Sequence, residues 1–210
     1  MTQDAVAALD ALAAEARVCT ACRLAEGRTN VVFGSGDPEA DLVFVGEGPG
    51  REEDRQGLPF VGASGRLLDE LLGEIGLERD EVYIANVVKC RPPGNRDPRS
   101  DEIDACKPYL REQLRLIDPR VVVTLGNFAT KLLLRTETGI TRLRGRVHSW
   151  WNRSLVPTFH PAAALRGGAR VRAQMDEDFA VIAQLLAAPV APAAVAAAEP
   201  EPPRQMGLFG

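Results

Sequence analysis

Leu42-Val43-Phe44-Val45-Gly46-Glu47-Gly48-Pro49-Gly50 is the stretch that decides the fold. Its first half is apolar without polar alternation, as in a strand buried on both faces. It stops in a turn whose glycines permit positive φ and close approach of a ligand, while Pro49 stiffens the path. Residues 82–88, 120–126 and 155–159 are runs of the same character. Helical patterns lie between them: 64–75, with Leu67, Leu68, Leu71, Leu72 and Ile75 on one face; 100–117, opening on Ser-Asp-Glu; and the shorter 127–135. This alternation predicts an α/β fold, a three-layer α/β/α domain on a central, mostly parallel four-stranded sheet. Such sheets bind ligands beyond the carboxyl ends of their strands. Glu47, Asn86, Gly126-Asn127 and His160 each fall late in or just after one of the four runs. Polar groups from separate regions are therefore expected to meet in one crevice.

A chain of 210 residues buries one full core, which assigns residues 1–186 to a single domain. No apolar run reaches membrane-spanning length, and residues 1–17 are amphipathic and acid-containing, without a signal-peptide layout. The expectation is a cytoplasmic monomer with no membrane partner, at the nucleoid in a bacterium, its thiols reduced and free to bind metal. The net charge of −4 divides unevenly, being −10 over residues 1–87 and +10 over residues 88–172. Residues 138–175 carry seven arginines and no acid. That asymmetry points to an electropositive face able to neutralise phosphates.

The four cysteines are Cys19-x-x-Cys22, then Cys90, then Cys106. The close pair chelates from one turn, and folding has to bring the two distant thiolates to it. Four thiolates suit a tetrahedral zinc or an iron–sulfur cluster, and the spacing does not decide between them. A zinc ribbon has two close pairs, so the open second half favours the bulkier cluster; buried free cysteines are the plain alternative.

Glu47 presents a carboxylate able to orient a water or offset positive charge on a substrate. The loop is no dinucleotide fingerprint, because Pro49 and Glu52-Glu53-Asp54 suit a pyrophosphate badly. Phe60, within Gly57-Leu58-Pro59-Phe60-Val61-Gly62, offers a planar wall for a base or fills the core beneath the loop. Asn86 interrupts an apolar strand, and its amide both donates and accepts, as reading a nucleobase edge requires; the bland reading is a structural Asn. His160, before Pro161, is placed to donate to an oxygen that becomes anionic.

Together these pieces resemble the iron–sulfur uracil-DNA glycosylases of family four. The resemblance covers about residues 15–186 and rests on Cys19-x-x-Cys22, Gly46-Glu47-Gly48-Pro49-Gly50, Pro59-Phe60-Val61-Gly62, Asn86-Val87-Val88-Lys89-Cys90-Arg91-Pro92-Pro93-Gly94-Asn95-Arg96, Cys106 and His160-Pro161-Ala162, in that order. It implies that Cys19, Cys22, Cys90 and Cys106 bind a 4Fe-4S cluster. It also implies hydrolysis of the N-glycosidic bond of deoxyuridine in DNA, leaving an abasic site that starts base excision repair. The uridine would be flipped from the stack. By the family pattern, Phe60 stacks on the uracil and Asn86 reads its N3 and O4 edge. His160 stabilises charge on O2, and Glu47 positions water beside the oxocarbenium-like sugar. Glu53 lies near C5, where it hinders a thymine methyl. Leu165 would fill the gap in the duplex and Arg166 hold phosphate, although the chain has Ala164 where related enzymes often carry a bulkier apolar residue. A related subgroup traps its product through a histidine in the basic loop; residues 91–98 contain none, which implies a turning-over enzyme. A rival reading is a non-catalytic DNA-binding module using the cluster and the arginines.

Residues 187–203 are Ala- and Pro-rich, with five prolines and no aromatic residue, and read as a semi-extended, disordered linker. Gln205-Met206-Gly207-Leu208-Phe209, within residues 204–210, resembles the peptide by which bacterial repair proteins bind the replicative sliding clamp. Gln205, Met206, Leu208 and Phe209 are then the expected contacts.

Overall fold

The computed structural model describes residues 3–189, so the peptide at 204–210 and nearly all of the 187–203 linker lie outside the described residues. In chain order the elements are α1 (Gln3–Arg17), α2 (Leu24–Gly27), β1 (Ser35–Gly36), β2 (Leu42–Gly46), α3 (Arg51–Gln56), α4 (Ala63–Glu74), β3 (Tyr83–Asn86), α5 (Ser100–Ile117), β4 (Val121–Leu125), α6 (Asn127–Leu134), α7 (Ile140–Leu143), β5 (His148–Trp150), β6 (Arg153–Thr158) and α8 (Pro161–Ala187).

The sheet order is β1-β3-β2-β4-β6-β5. Its inner four strands are the four read from the sequence, and they pair in parallel. The expected four-stranded sheet has six strands, because β1 and β5 add antiparallel edges. Two residues of Ser-Gly and three of His-Ser-Trp are too short to show a period, and short edge strands are how sheets blunt their open edges. Every residue of β2 is buried, with Val43 and Val45 in the core beneath α1 and α5, and Leu42 and Phe44 in the core beneath α4 and α8. Each such fully buried side chain contributes ~1.5–3 kcal/mol.

The long helix α8 was not legible, since its first turns are Ala- and Gly-rich. It breaks at Gly168, at φ 66° and ψ −158°, a conformation open essentially to glycine alone. It also runs through Ala187, so the first residue assigned to the linker belongs to this helix. Where α3 ends, Gly57 takes φ 74° and donates to the Glu53 carbonyl, turning the chain into the loop that carries Phe60.

Candidate active site

At the carboxyl end of the parallel strands lies a cavity of about 180 Å³, lined by Glu47, Glu53, Phe60, Asn86 and His160 together with Ser64, Asn95 and Arg96. The five residues singled out for substrate chemistry thus converge. Its volume is below the ~300–1,000 Å³ of sites for drug-sized ligands, a space suited to a single flat ring.

Register explains the convergence. Gly46 and Asn86 are directly paired on β2 and β3, and the Val88 N–H donates to the Glu47 carbonyl, so both strands deliver their last residues to one place. Gly46 has to be glycine: a Cβ there would lie 2.4 Å from Asn86 Oδ1 and 2.8 Å from the Phe60 ring. Phe60 is buried at φ 51°, and its ring stacks on that of His160 at 5.5 Å and 29°. An aromatic residue in left-handed backbone costs free energy that the surrounding structure has to supply. Glu53 holds it there, its Oε1 accepting from the Val61 and Gly62 N–H groups at 3.1 and 3.2 Å.

Asn86 is 1% exposed, and its Oδ1 is a buried acceptor with no hydrogen-bond partner. Leaving such an atom unpaired costs ~1–3 kcal/mol. His160 caps α8, with Nδ1 accepting from the Ala162 N–H at 3.1 Å, which leaves the proton of the neutral ring on Nε2. Burial, followed by the nearby Arg166 charge, lowers its pKa to about 4. Burial, followed by repulsion from Asp97, raises that of Glu47 to about 7.

Two supporting groups escaped the sequence reading. Glu102 is fully buried and forms a two-bonded pair with Arg96 at 2.6 and 2.8 Å, fixing the basic loop against α5 and the pocket. Asp97 bears on Glu47 from that same loop. The separation of Arg96 and Glu102 in sequence carried no recognisable motif.

The four cysteines converge as well. All line one small pocket with Arg28, Lys89 and Tyr109, and none forms a disulfide. Among the described residues no three of His, Cys, Asp or Glu stand close enough to hold a single ion. Four thiols lining one pocket are the donor chemistry of a thiolate-bound metal centre, zinc or iron–sulfur alike. Arg28 donates to Cys90 Sγ at 3.4 Å and the Lys89 N–H to Cys106 Sγ at 3.2 Å. The Lys89 ammonium is buried between the two sites, donating to the Asn86 carbonyl at 2.9 Å and to Gln113 Oε1 at 2.5 Å.

The electropositive segment is partly neutralised from other elements. Arg144 pairs with Glu177 and Asp178, Arg172 with Glu70, Glu74 and Asp176, and Arg153 with Asp118. Among the described residues Arg142, Arg146, Arg166 and Arg170 make no salt bridge, so the free charge is four arginines of the seven. Leu165 is 54% exposed beside Arg166, whereas Ala164 is buried. No helix among the described residues is long and apolar enough to cross a membrane.

A parallel α/β sheet with a narrow, base-sized pocket at its carboxyl end defines a class, and residues 33–186 match the Uracil DNA glycosylase superfamily. The Type-4 uracil-DNA glycosylase of Sulfurisphaera tokodaii is 46% identical over 190 residues, 86% of this chain and 86% of that protein. That of Saccharolobus solfataricus is 43% identical over 187 residues, 85% and 86% of the two chains. That of Thermotoga maritima is 50% identical over 150 residues, 70% and 78%. The chain belongs to the type-4 uracil-DNA glycosylase family.

Proposed function

We infer that this chain hydrolyses the N-glycosidic bond of deoxyuridine in DNA, leaving an abasic site for base excision repair. The observation that carries the reading is Asn86 Oδ1, buried and unpaired in the pocket that Glu47, Phe60 and His160 share. It waits for a donor, and uracil N3–H supplies one while O4 accepts from the same amide. Cytosine, with an unprotonated N3 and an exocyclic amine, reverses both positions.

The flipped base stacks on Phe60. As the C1′–N1 bond breaks, its electron pair passes into the uracil ring, and the neutral His160 ring donates from Nε2 to the developing charge on O2. The Glu47 carboxylate offsets the positive sugar, orients the water that attacks C1′ and takes the proton that water loses as the new C–O bond forms. Glu53 stands near the base's C5 edge, where a methyl group would be crowded. Leu165, exposed where Ala164 is not, fills the vacated stack, and Arg166 holds a phosphate. A pure DNA-binding module gains nothing from a carboxylate aimed at an anionic substrate. The test is excision from otherwise identical U·G and C·G duplexes, read after hot alkali. Cleavage at uracil alone supports the reading, and binding without cleavage by iron-loaded protein overturns it.

Cys19, Cys22, Cys90 and Cys106 would hold a 4Fe-4S cluster, which when bound supplies a cross-link between residues 19–22, the segment that follows β3 and α5. Arg28 and Lys89 contribute two positive charges toward the net negative charge of a tetrathiolate cluster. Cys90→Ala is expected to lower iron content and soluble yield, measured by metal analysis and absorbance near 400 nm; full iron occupancy in the variant removes Cys90 from the ligand set.

Gln205, Met206, Leu208 and Phe209 would recruit the enzyme to a bacterial replicative sliding clamp, on a tether long enough to let the domain search DNA nearby. A peptide of residues 200–210 is expected to bind such a clamp in calorimetry. No heat beside a positive control peptide rules the recruitment out.

A further inference from the structure

The strand end that carries His160 is held by a buried ionic cluster that no step of the reaction touches. Asp178 of α8 is fully buried. Its Oδ2 accepts from Thr158 Oγ1 at 2.6 Å and from Arg144 Nε at 3.1 Å, and Arg144 Nη2 stands 2.7 Å from its Oδ1. The same Nη2 donates to the Gln174 carbonyl and to Glu177 Oε2, so the guanidinium is fixed on α8 from three residues. Its carbon lies 5.9 Å from the centre of the Phe159 ring, a cation–π contact.

These contacts fall on consecutive residues. The Pro157 carbonyl accepts from the Gly145 N–H and the Thr158 carbonyl from the Gly126 N–H, both at 2.9 Å. Asp178 takes the Thr158 hydroxyl, and Arg144 takes the Phe159 ring. The next residue is His160, whose ring stacks on Phe60 and whose Nδ1 accepts from the Ala162 N–H. The fit is tight on both sides: a Cβ on Gly145 would lie 2.5 Å from Asp178 Oδ1, and one on Gly126 would lie 3.0 Å from His160 Cβ. An ion pair taken out of water gains little over apolar packing of the same volume, so stability alone does not account for Asp178. What the cluster supplies is direction, because polar partners with fixed geometry permit one arrangement of the strand end. Donation to a developing charge depends on such fixing, since a displacement of ~1 Å can cost ~10²-fold in rate.

We propose that Asp178, through Thr158 and Arg144, is a positioning residue for His160, holding Nε2 where it meets O2 of the departing uracil. The inference rests on the glycosylase reading and on His160 as the donor to O2.

The experiment is a double-mutant cycle on iron-loaded full chains, comparing wild type, Asp178→Asn, His160→Ala and the double variant in single-turnover excision of uracil and of 5-fluorouracil from DNA. Fluorine is little larger than hydrogen and withdraws electrons, so the departing 5-fluorouracil needs less help from His160. Asp178→Asn is expected to slow uracil excision by ~10–10²-fold. It should slow 5-fluorouracil excision far less, and add nothing once His160 is alanine. Equal slowing on both bases, or full additivity with His160→Ala, marks Asp178 as a support of the fold at large; either overturns the proposal and leaves the role of His160 standing. If His160→Ala itself shows no selective loss on uracil, the donor role falls and the proposal with it, while absence of excision by wild type overturns the glycosylase reading and both that depend on it. Should Asp178→Asn yield no folded protein, Thr158→Val takes its place, removing one bond to Asp178 while keeping the side-chain shape. It should show the same selective loss on a smaller scale, and Thr158→Ser should restore the wild-type ratio of the two rates. A wild-type ratio in Thr158→Val overturns the proposal.

Discussion

Glu47→Gln is expected to lower turnover on uracil-containing DNA by ~10²–10⁴-fold, the range a positioned acid–base group contributes. The substitution keeps the shape and removes the charge. Because the Glu47 pKa is raised to about 7 by burial and by Asp97, the carboxylate is mostly neutral below that pH and charged above it. If the charged form does the work, kcat/KM in the wild type climbs with pH through about 7 and levels off above it. The Gln variant should show a low rate without that limb. His160, its pKa lowered to about 4, stays neutral throughout and adds no limb of its own there. Asp97→Asn, by removing the repulsion, should move the wild-type limb toward lower pH. Linkage gives a second readout. An acid whose folded pKa lies above its unfolded value binds more protons folded than unfolded between the two values, so its contribution falls as pH rises from about 4.5 to about 7. Ionised Glu47 therefore destabilises the fold at pH 8, and the Gln variant should melt no lower than wild type there. Unchanged turnover, or activity lost together with Tm, would refute the catalytic role.

Asn86→Ala should cut uracil excision by ~10²–10⁴-fold, because a site built to hydrogen-bond a base edge loses both contacts at once. In the free protein Asn86 Oδ1 bonds to nothing, so its removal also takes away an unpaired buried acceptor. The backbone carbonyl that receives the Lys89 ammonium is retained in alanine. Thermal unfolding and iron content should therefore match or exceed wild type while excision falls. A variant that excises normally would mean that Asn86 does not read the base. One that unfolds several degrees lower would mean that the amide serves the core instead.

Lys89 joins the pocket at the strand ends to the cysteine pocket. Lys89, between Asn86 and Cys90 in sequence, places its ammonium against the Asn86 carbonyl while its own N–H donates to Cys106 Sγ. Burial lowers its pKa to about 8, and the nearby cysteines oppose that shift. A buried cation with neutral acceptors is costly unless negative charge stands nearby, and deprotonated cysteines are the groups placed to supply it.

The parallel core was written in local sequence. Four unalternating apolar runs can bury both faces only inside a covered sheet, and Glu47, Asn86 and His160 at their carboxyl ends were bound to meet once the strands paired. The cysteines and the family motifs were equally legible, being fixed by residue type and order. The edge strands were not, because two or three residues carry no period, and α8 was hidden by glycines and alanines whose conformation depends on packing against α4. The acid-free arginine segment read as positive, yet much of its charge is offset by Glu70 and Glu74 of α4 and by Asp118 just after α5, which only the fold brings near, and by Asp176, Glu177 and Asp178 just past the segment. Burial likewise decides the pKa of Glu47 and His160 and leaves Asn86 Oδ1 without a partner. Residue type and spacing determine which groups exist and in what order, whereas desolvation and partner choice depend on distances between segments remote in sequence, and only the tertiary structure sets those.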